Sequence, residues 1–156
     1  MVTNAMAATA TNQDSIDLVM TLTEEVWNSR DYDRLDDIVS DDFVQHGPVT
    51  GMQLSGRGEL LENIRLYQEA FSDLESNVDL VFADEDGEYV CAFLTNTGTH
   101  DGELMGIPAT DVEGTINVSN IHRIENGQIV ESWILGDMLG LFTQLGSFPE
   151  TGPFAA

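Results

Sequence analysis

From Asp14 to Asn28 the residues Ile16, Val19, Met20, Thr23, Val26 and Trp27 recur at steps of three and four, which predicts a helix with one largely apolar face, capped by Asp14 or Ser15. In "RDYDRLDDIVSDDF" the same spacing of Tyr32, Leu35, Ile38 and Val39 predicts a second, short helix after Asp31 as its N-cap. "QHGPVTGMQLSGRG" breaks the pattern with glycines and a proline and reads as a loop. A third helix is expected from about Gly58 to Phe71, where Leu60, Ile64, Tyr67 and Phe71 share one side. The period then drops to two. "NVDLVFADEDGEYVCAFLTNTGTH" reads as a pair of strands around Asp86-Gly87, and "TINVSNIHRIENGQIVESWIL" as another pair around Asn126-Gly127. A final helix is expected from Met138 to about Leu145. Helices first and strands afterwards imply an α+β fold, with helices on one face of a mostly antiparallel sheet. If that sheet curls around its helices, an apolar cavity opens between them.

With 156 residues, 42% of them hydrophobic, the chain is the size of a single domain, expected over 14–148. Residues 1–13 read as a disordered tail and 149–156 as a C-terminal tail. Nothing in the opening stretch has the form of a secretory leader, and no run approaches membrane-spanning length. The lone Cys91 excludes an internal disulfide.

Charge changes the picture more. There are 28 acidic residues against 5 basic ones, a net charge of -23, and every cation is an arginine. Such a surface repels itself in dilute buffer and is calmed by salt, because the Debye length falls from about 10 Å at ~0.1 M to about 3 Å at ~1 M. The balance therefore predicts a halophilic protein in a salt-rich cytoplasm. It argues against nucleic acid or an anionic membrane as partner, since both bind basic surfaces.

Candidate chemistry centres on "ESWILGDMLGLF", in which Asp137 stands among apolar residues with no cation nearby. Glu131, Trp133, Leu135 and Asp137 share one side of their strand, and Val118, Asn120 and His122 one side of the preceding strand. If those sides face a cavity, a sequestered carboxyl lies near an imidazole, a pair suited to accepting and returning a proton. The competing role for Asp137 is the N-cap of the final helix, although Gly140 supplies no capping box. His46, before Gly47-Pro48, and His100, beside Asp101, read as loop residues at a cavity mouth. No two histidines have close metal-ligand spacing, so no metal is expected. Nucleophile signatures, P-loops and dinucleotide-binding glycine patterns are absent, and no cofactor is expected.

The blocks "DDFVQHGP", "GTHDGELMGIPAT" and "HRIENGQIVESWILGDMLGLFTQLG" resemble the SnoaL-like polyketide cyclase or ester cyclase family, over about residues 14 to 148. The resemblance implies the α+β cone of the nuclear transport factor 2-like superfamily and an intramolecular aldol ring closure without metal or cofactor. It implies Asp137 as general acid/base, with His122 beside it. It also implies a homodimer or higher homo-oligomer formed through sheet outer faces. Two departures stand out: "LTNTGTH" lacks the arginine that members often carry before "GTH", and Asp101 stands where an uncharged residue is common. On this reading the partner is a small apolar carbonyl metabolite, with Asp137 and His122 catalytic. Trp133, Phe93, Leu135, Asn120, His46 and His100 would contact it. The alternatives are a binding module without catalysis, or an isomerase or hydrolase using the same Asp/His pair.

Overall fold

The computed structural model describes residues 11–47 and 52–147. Most of the two expected tails, and 48–51 of the expected loop, lie outside those residues. Thr11 caps α1 (Asn12–Thr21): its hydroxyl accepts the Asp14 amide, and the Asp14 carboxylate accepts the Thr11 amide. This reciprocal cap starts the helix ahead of the expected Asp14 or Ser15. α1 runs straight on into a π-helical segment, Leu22–Asn28, so the single predicted helix is one rod with a widened second half. A 3-10 turn, Tyr32–Arg34, leads into α2 (Leu35–Ile38).

Val39, expected in that short helix, instead begins β1 (Val39–His46), which is followed by β2 (Gln53–Ser55). β1 escaped the sequence reading because Val39 and Phe43, its buried residues, stand four apart as they would on a helix, with exposed Asp41 and Asp42 between them. A spacing of four is in phase for a strand as well as for a helix, and the register against β6 is irregular across the same span. α3 (Arg57–Ala70), β3 (Glu75–Ala83), β4 (Tyr89–Thr99), β5 (Glu113–Glu125), β6 (Gln128–Gly136) and α4 (Met138–Gln144) follow the expected order closely.

The strands form one sheet in the order β2-β1-β6-β5-β4-β3, antiparallel except where β1 lies parallel to β6. The β5–β6 turn has Asn126 at φ 51° and Gly127 at φ 73°, the two left-handed positions that a tight two-residue hairpin requires. Just beyond it Ile124 pairs with Ile129 but Arg123 pairs with Glu131, so Val130 is an extra, bulged residue. A third irregularity shifts the register of β3 against β4 between Val78 and Leu80. The concave face so produced packs on the helices: Val19, Leu22 and Val26 from the N-terminal rod, Leu60 and Ile64 from α3, and Val90, Ala92 and Leu94 from β4 join one core. A smaller cluster around Phe71, Leu104, Leu141 and Leu145 ties α4 and the 100–112 loop to the end of α3. Gly102 sits so close to the Glu69 carbonyl that a Cβ there would lie 2.2 Å from the oxygen, which fixes glycine at the start of that loop. Among the described residues no helix is long and apolar enough to cross a membrane.

Candidate active site

The concave face and the helices enclose a cavity of about 430 Å³. Alternation along the strands decides which residues reach it. β5 contributes Ile116, Val118, Asn120 and His122; β6 contributes Ser132, Ile134 and Gly136; β4 contributes Ala92, Leu94 and Asn96. Trp27, Tyr67 and Phe71 close it from the side of the helices, and Phe43 reaches it from β1. Although the chain carries 28 acidic residues and five arginines, no charged side chain among the described residues lines this cavity. The arginines are engaged elsewhere: Arg34 with Glu25 and Asp37, Arg57 with Asp36 and Asp41, Arg123 with Glu125 and Glu131, Arg65 over the Tyr32 ring, and Arg30 on the Ser72 carbonyl.

Two titratable side chains are part of the lining, His122 and Tyr67. His122 is fully buried; burial pushes its pKa down to about 4, so the imidazole is neutral at pH 7. Its Nδ1 lies 2.7 Å from Ser132 Oγ, a bond that orients the ring and leaves Nε2 for whatever occupies the cavity. Burial also pushes the Tyr67 hydroxyl above its ordinary value, which keeps it a neutral donor. Asn120 lies two residues before His122 on the same face of β5, and its Oδ1 is buried without a hydrogen-bond partner among the described residues. The Oδ1 of Asn96 is in the same condition.

Asp137 stands apart from this group. It is exposed, and its Oδ1 accepts the Gly140 amide at 2.8 Å, capping α4. Glycine at position 140 assists this role rather than weakening it, because a Cβ there would fall 2.2 Å from the Asp137 carboxylate. The expected sequestration of Asp137 is thus corrected: its neighbours Gly136 and Met138 line the cavity, and Asp137 itself does not. Nor does it adjoin His122. Gly136 is level with Val118, four residues from His122, which amounts to about 13 Å along β5.

The other expected contacts divide sharply. Trp133, Leu135 and Phe93 lie on the outer, convex face, 37%, 66% and 41% exposed, and so cannot wall the cavity. The cause is the extra residue at Val130. A regular hairpin from Asn126-Gly127 would pair Asn120 with Trp133; the bulge pairs Asn120 with Ile134 and His122 with Ser132, which turns Trp133 and Leu135 outward. His46 ends β1 on that outer face, stacked on Trp133 at 5.3 Å and bonded to Glu131 at 2.8 Å. The His46 hydrogen bond is the largest influence holding the Glu131 carboxyl below its usual range. His100, expected at the mouth, is wholly buried beneath the 100–112 loop, with Nδ1 against Thr110 and its ring against Phe71. The three histidines therefore occupy three separate places. Ser132, Tyr67 and Asn96 were not singled out from the sequence; for Asn96 the signal was its place in phase with Ala92 and Leu94 in a strand.

The SnoaL-like polyketide cyclase family matches residues 17–145. Among curated proteins, the aklanonic acid methyl ester cyclase DnrD of Streptomyces peucetius is 28% identical over 84% of this chain and 90% of its own. The nogalonic acid methyl ester cyclase of Streptomyces nogalater is 26% identical over 77% and 89%. In three dimensions, a SnoaL-like protein from Jannaschia sp. CCS1 superposes with a TM-score of 0.79 at 21% identity, covering 88% of this chain and 94% of its own, a likeness of fold. IdmH of Streptomyces antibioticus does so with a TM-score of 0.74 at 28% identity, over 85% and 98%. A cavity without charged side chains among the described residues, on the concave side of a six-stranded sheet, in a chain that these relatives match over 77–88% of its length, identifies the molecule as a member of the SnoaL-like polyketide cyclase family of enzymes.

Proposed function

We propose that the protein closes a carbon ring by intramolecular aldol addition in a neutral, ester-masked polyketide-type substrate, with His122 moving the proton. The observation that carries this reading is that, among the described residues, His122 is the one imidazole, and the one basic group, lining a cavity free of charged side chains. Two relatives are named as cyclases of methyl esters. A masked carboxyl fits this interior, since a free carboxylate would find no cation in it and would approach through the field of a net charge of -23.

With Nδ1–H donated to Ser132 Oγ, the His122 Nε2 lone pair takes a proton from a carbon flanked by two carbonyls. The Asn120 amide N–H donates to the enolate oxygen as charge develops there. The enolate carbon then attacks a second carbonyl carbon of the same molecule, one C–C bond forms, and the new alkoxide takes back the proton from Nε2. Atoms are conserved and no cofactor takes part. Trp27, Phe43 and Leu94 hold the substrate folded, supplying proximity rather than chemistry. Asp137 serves at the rim as the cap of α4.

The outer face of the sheet carries Leu80, Phe82, Phe93, Ile121, Trp133 and Leu135, each more than a third exposed, and a second copy of the chain is the partner this face suits. The catalytic reading is tested by incubating the protein, with chelator present, with a polyketide-derived β-keto methyl ester. The expected product has unchanged mass and one more ring by NMR. A product heavier by one water identifies a hydrolase, a shifted double bond an isomerase, and ligand recovered unaltered a binding module.

A further inference from the structure

The chemistry at His122 leaves a second polar group in the cavity unused. Asn96 lies between Ser76 of β3 and Ile116 of β5, and both of these cross-strand neighbours line the cavity with it. Tyr67 belongs to the same end, because it and Ile116 pack on the one cluster around Phe71. Asn96 is level with Ile116, six residues along β5 from His122, so the two stations lie toward opposite ends of the cavity.

The Asn96 Oδ1 is buried and receives no hydrogen bond among the described residues. A shielded carbonyl oxygen without a donor destabilises the empty protein, and an apolar side chain of the same size would not. Lysine or arginine would be the protein's own strong donors, and neither lines the cavity among the described residues. The missing donor is one the ligand can bring.

We infer that Asn96 is a specificity-determining residue that reads a hydrogen-bond donor, a hydroxyl or an N–H, on the end of the substrate remote from the reacting carbon. The inference rests on the cavity being the substrate site, and not on the reaction assigned to His122. Tyr67, a neutral hydroxyl at the same end, complements it by donating to an acceptor on that end of the ligand.

The probes are 2-naphthol and 2-methylnaphthalene, rigid rings of one shape that differ in a single donor. Their affinities are measured by titration calorimetry at pH 7 for the wild type, Asn96→Leu, Asn96→Ala and His122→Gln. The ratio of naphthol to methylnaphthalene affinity should fall about tenfold from wild type to either Asn96 variant, and should persist in His122→Gln. Asn96→Leu should also melt higher than the wild type in the absence of ligand, the opposite sign from its effect on naphthol binding. An affinity ratio that is the same in the wild type and both Asn96 variants overturns the inference. A wild type that displays the preference yet cyclises nothing upholds it and removes only the catalytic reading.

Discussion

Acidification should destabilise the protein through His122 in a window set by its burial. An unfolded histidine titrates near 6.5, whereas the folded-state value is about 4. Between these pH values the unfolded chain binds a proton that the native state refuses, so this residue's contribution is whole above about pH 7 and is lost as pH falls toward 4. At 1.36 kcal/mol for each pH unit, the full loss is about 3 kcal/mol, a sizeable part of a small domain's stability. Ser132 Oγ fixes the ring but offers no negative charge to offset protonation, and no carboxylate among the described residues lines the cavity around it. The assay is urea unfolding at intervals from pH 7.5 to 4 in molar KCl, for wild type and His122→Gln. Titration of surface carboxylates affects both proteins alike, so the difference between them isolates the imidazole. That difference should be flat above pH 7 and change by about 3 kcal/mol, in the direction of wild-type destabilisation, by pH 4. Curves that run parallel through the window would refute the burial argument.

Asp137→Asn should keep the cap of α4 and unfold within about 0.5 kcal/mol of the wild type, while Asp137→Ala should cost about 1 kcal/mol, as read from urea midpoints. Leu135→Glu places a charge on the exposed outer face, at its most exposed apolar side chain, and should convert a dimer to monomers in sedimentation velocity; an unchanged sedimentation coefficient would remove that face as the interface. Melting temperature should rise from dilute buffer to ~1 M KCl, as screening relieves the repulsion among carboxylates that five arginines cannot balance; an unchanged value would separate the acidic composition from salt.

Much of the architecture was legible because local signals and tertiary packing agree. The third and final helices, the four long strands and both turns follow the apolar period, and Asn126-Gly127 turns where its backbone permits. The misses have specific causes. β1 hides because its two buried residues have helical spacing, and its parallel pairing with β6 leaves no local trace. The site was read inside out on β6 because one bulged residue, Val130, reverses which side chains face inward, and nothing in the letters "GQIVES" announces the bulge. His122 and Asn120 could be singled out because they sit in phase with Val118. Asp137 drew attention by its apolar neighbours, but those neighbours include both inward and outward residues, and the carboxylate turns to the helix end instead. His100 next to Asp101 reads as a loop residue at the cavity mouth, yet the 100–112 loop folds back over it through the bonds from Thr110 and Asp111 to its carbonyl.

The central claim is that proton transfer occurs within the charge-free cavity at His122 and not at the exposed carboxylate beside its rim. Steady-state kcat for ring closure of one substrate, compared between His122→Gln and Asp137→Asn, tests it most directly. Loss of a general base costs about 10²- to 10⁴-fold, so His122→Gln should fall by that amount, whereas Asp137→Asn, with its cap intact, should stay within a few-fold of wild type. The reverse pattern, a well-folded but inactive Asp137→Asn beside a functioning His122→Gln, would contradict the account and assign the proton to Asp137.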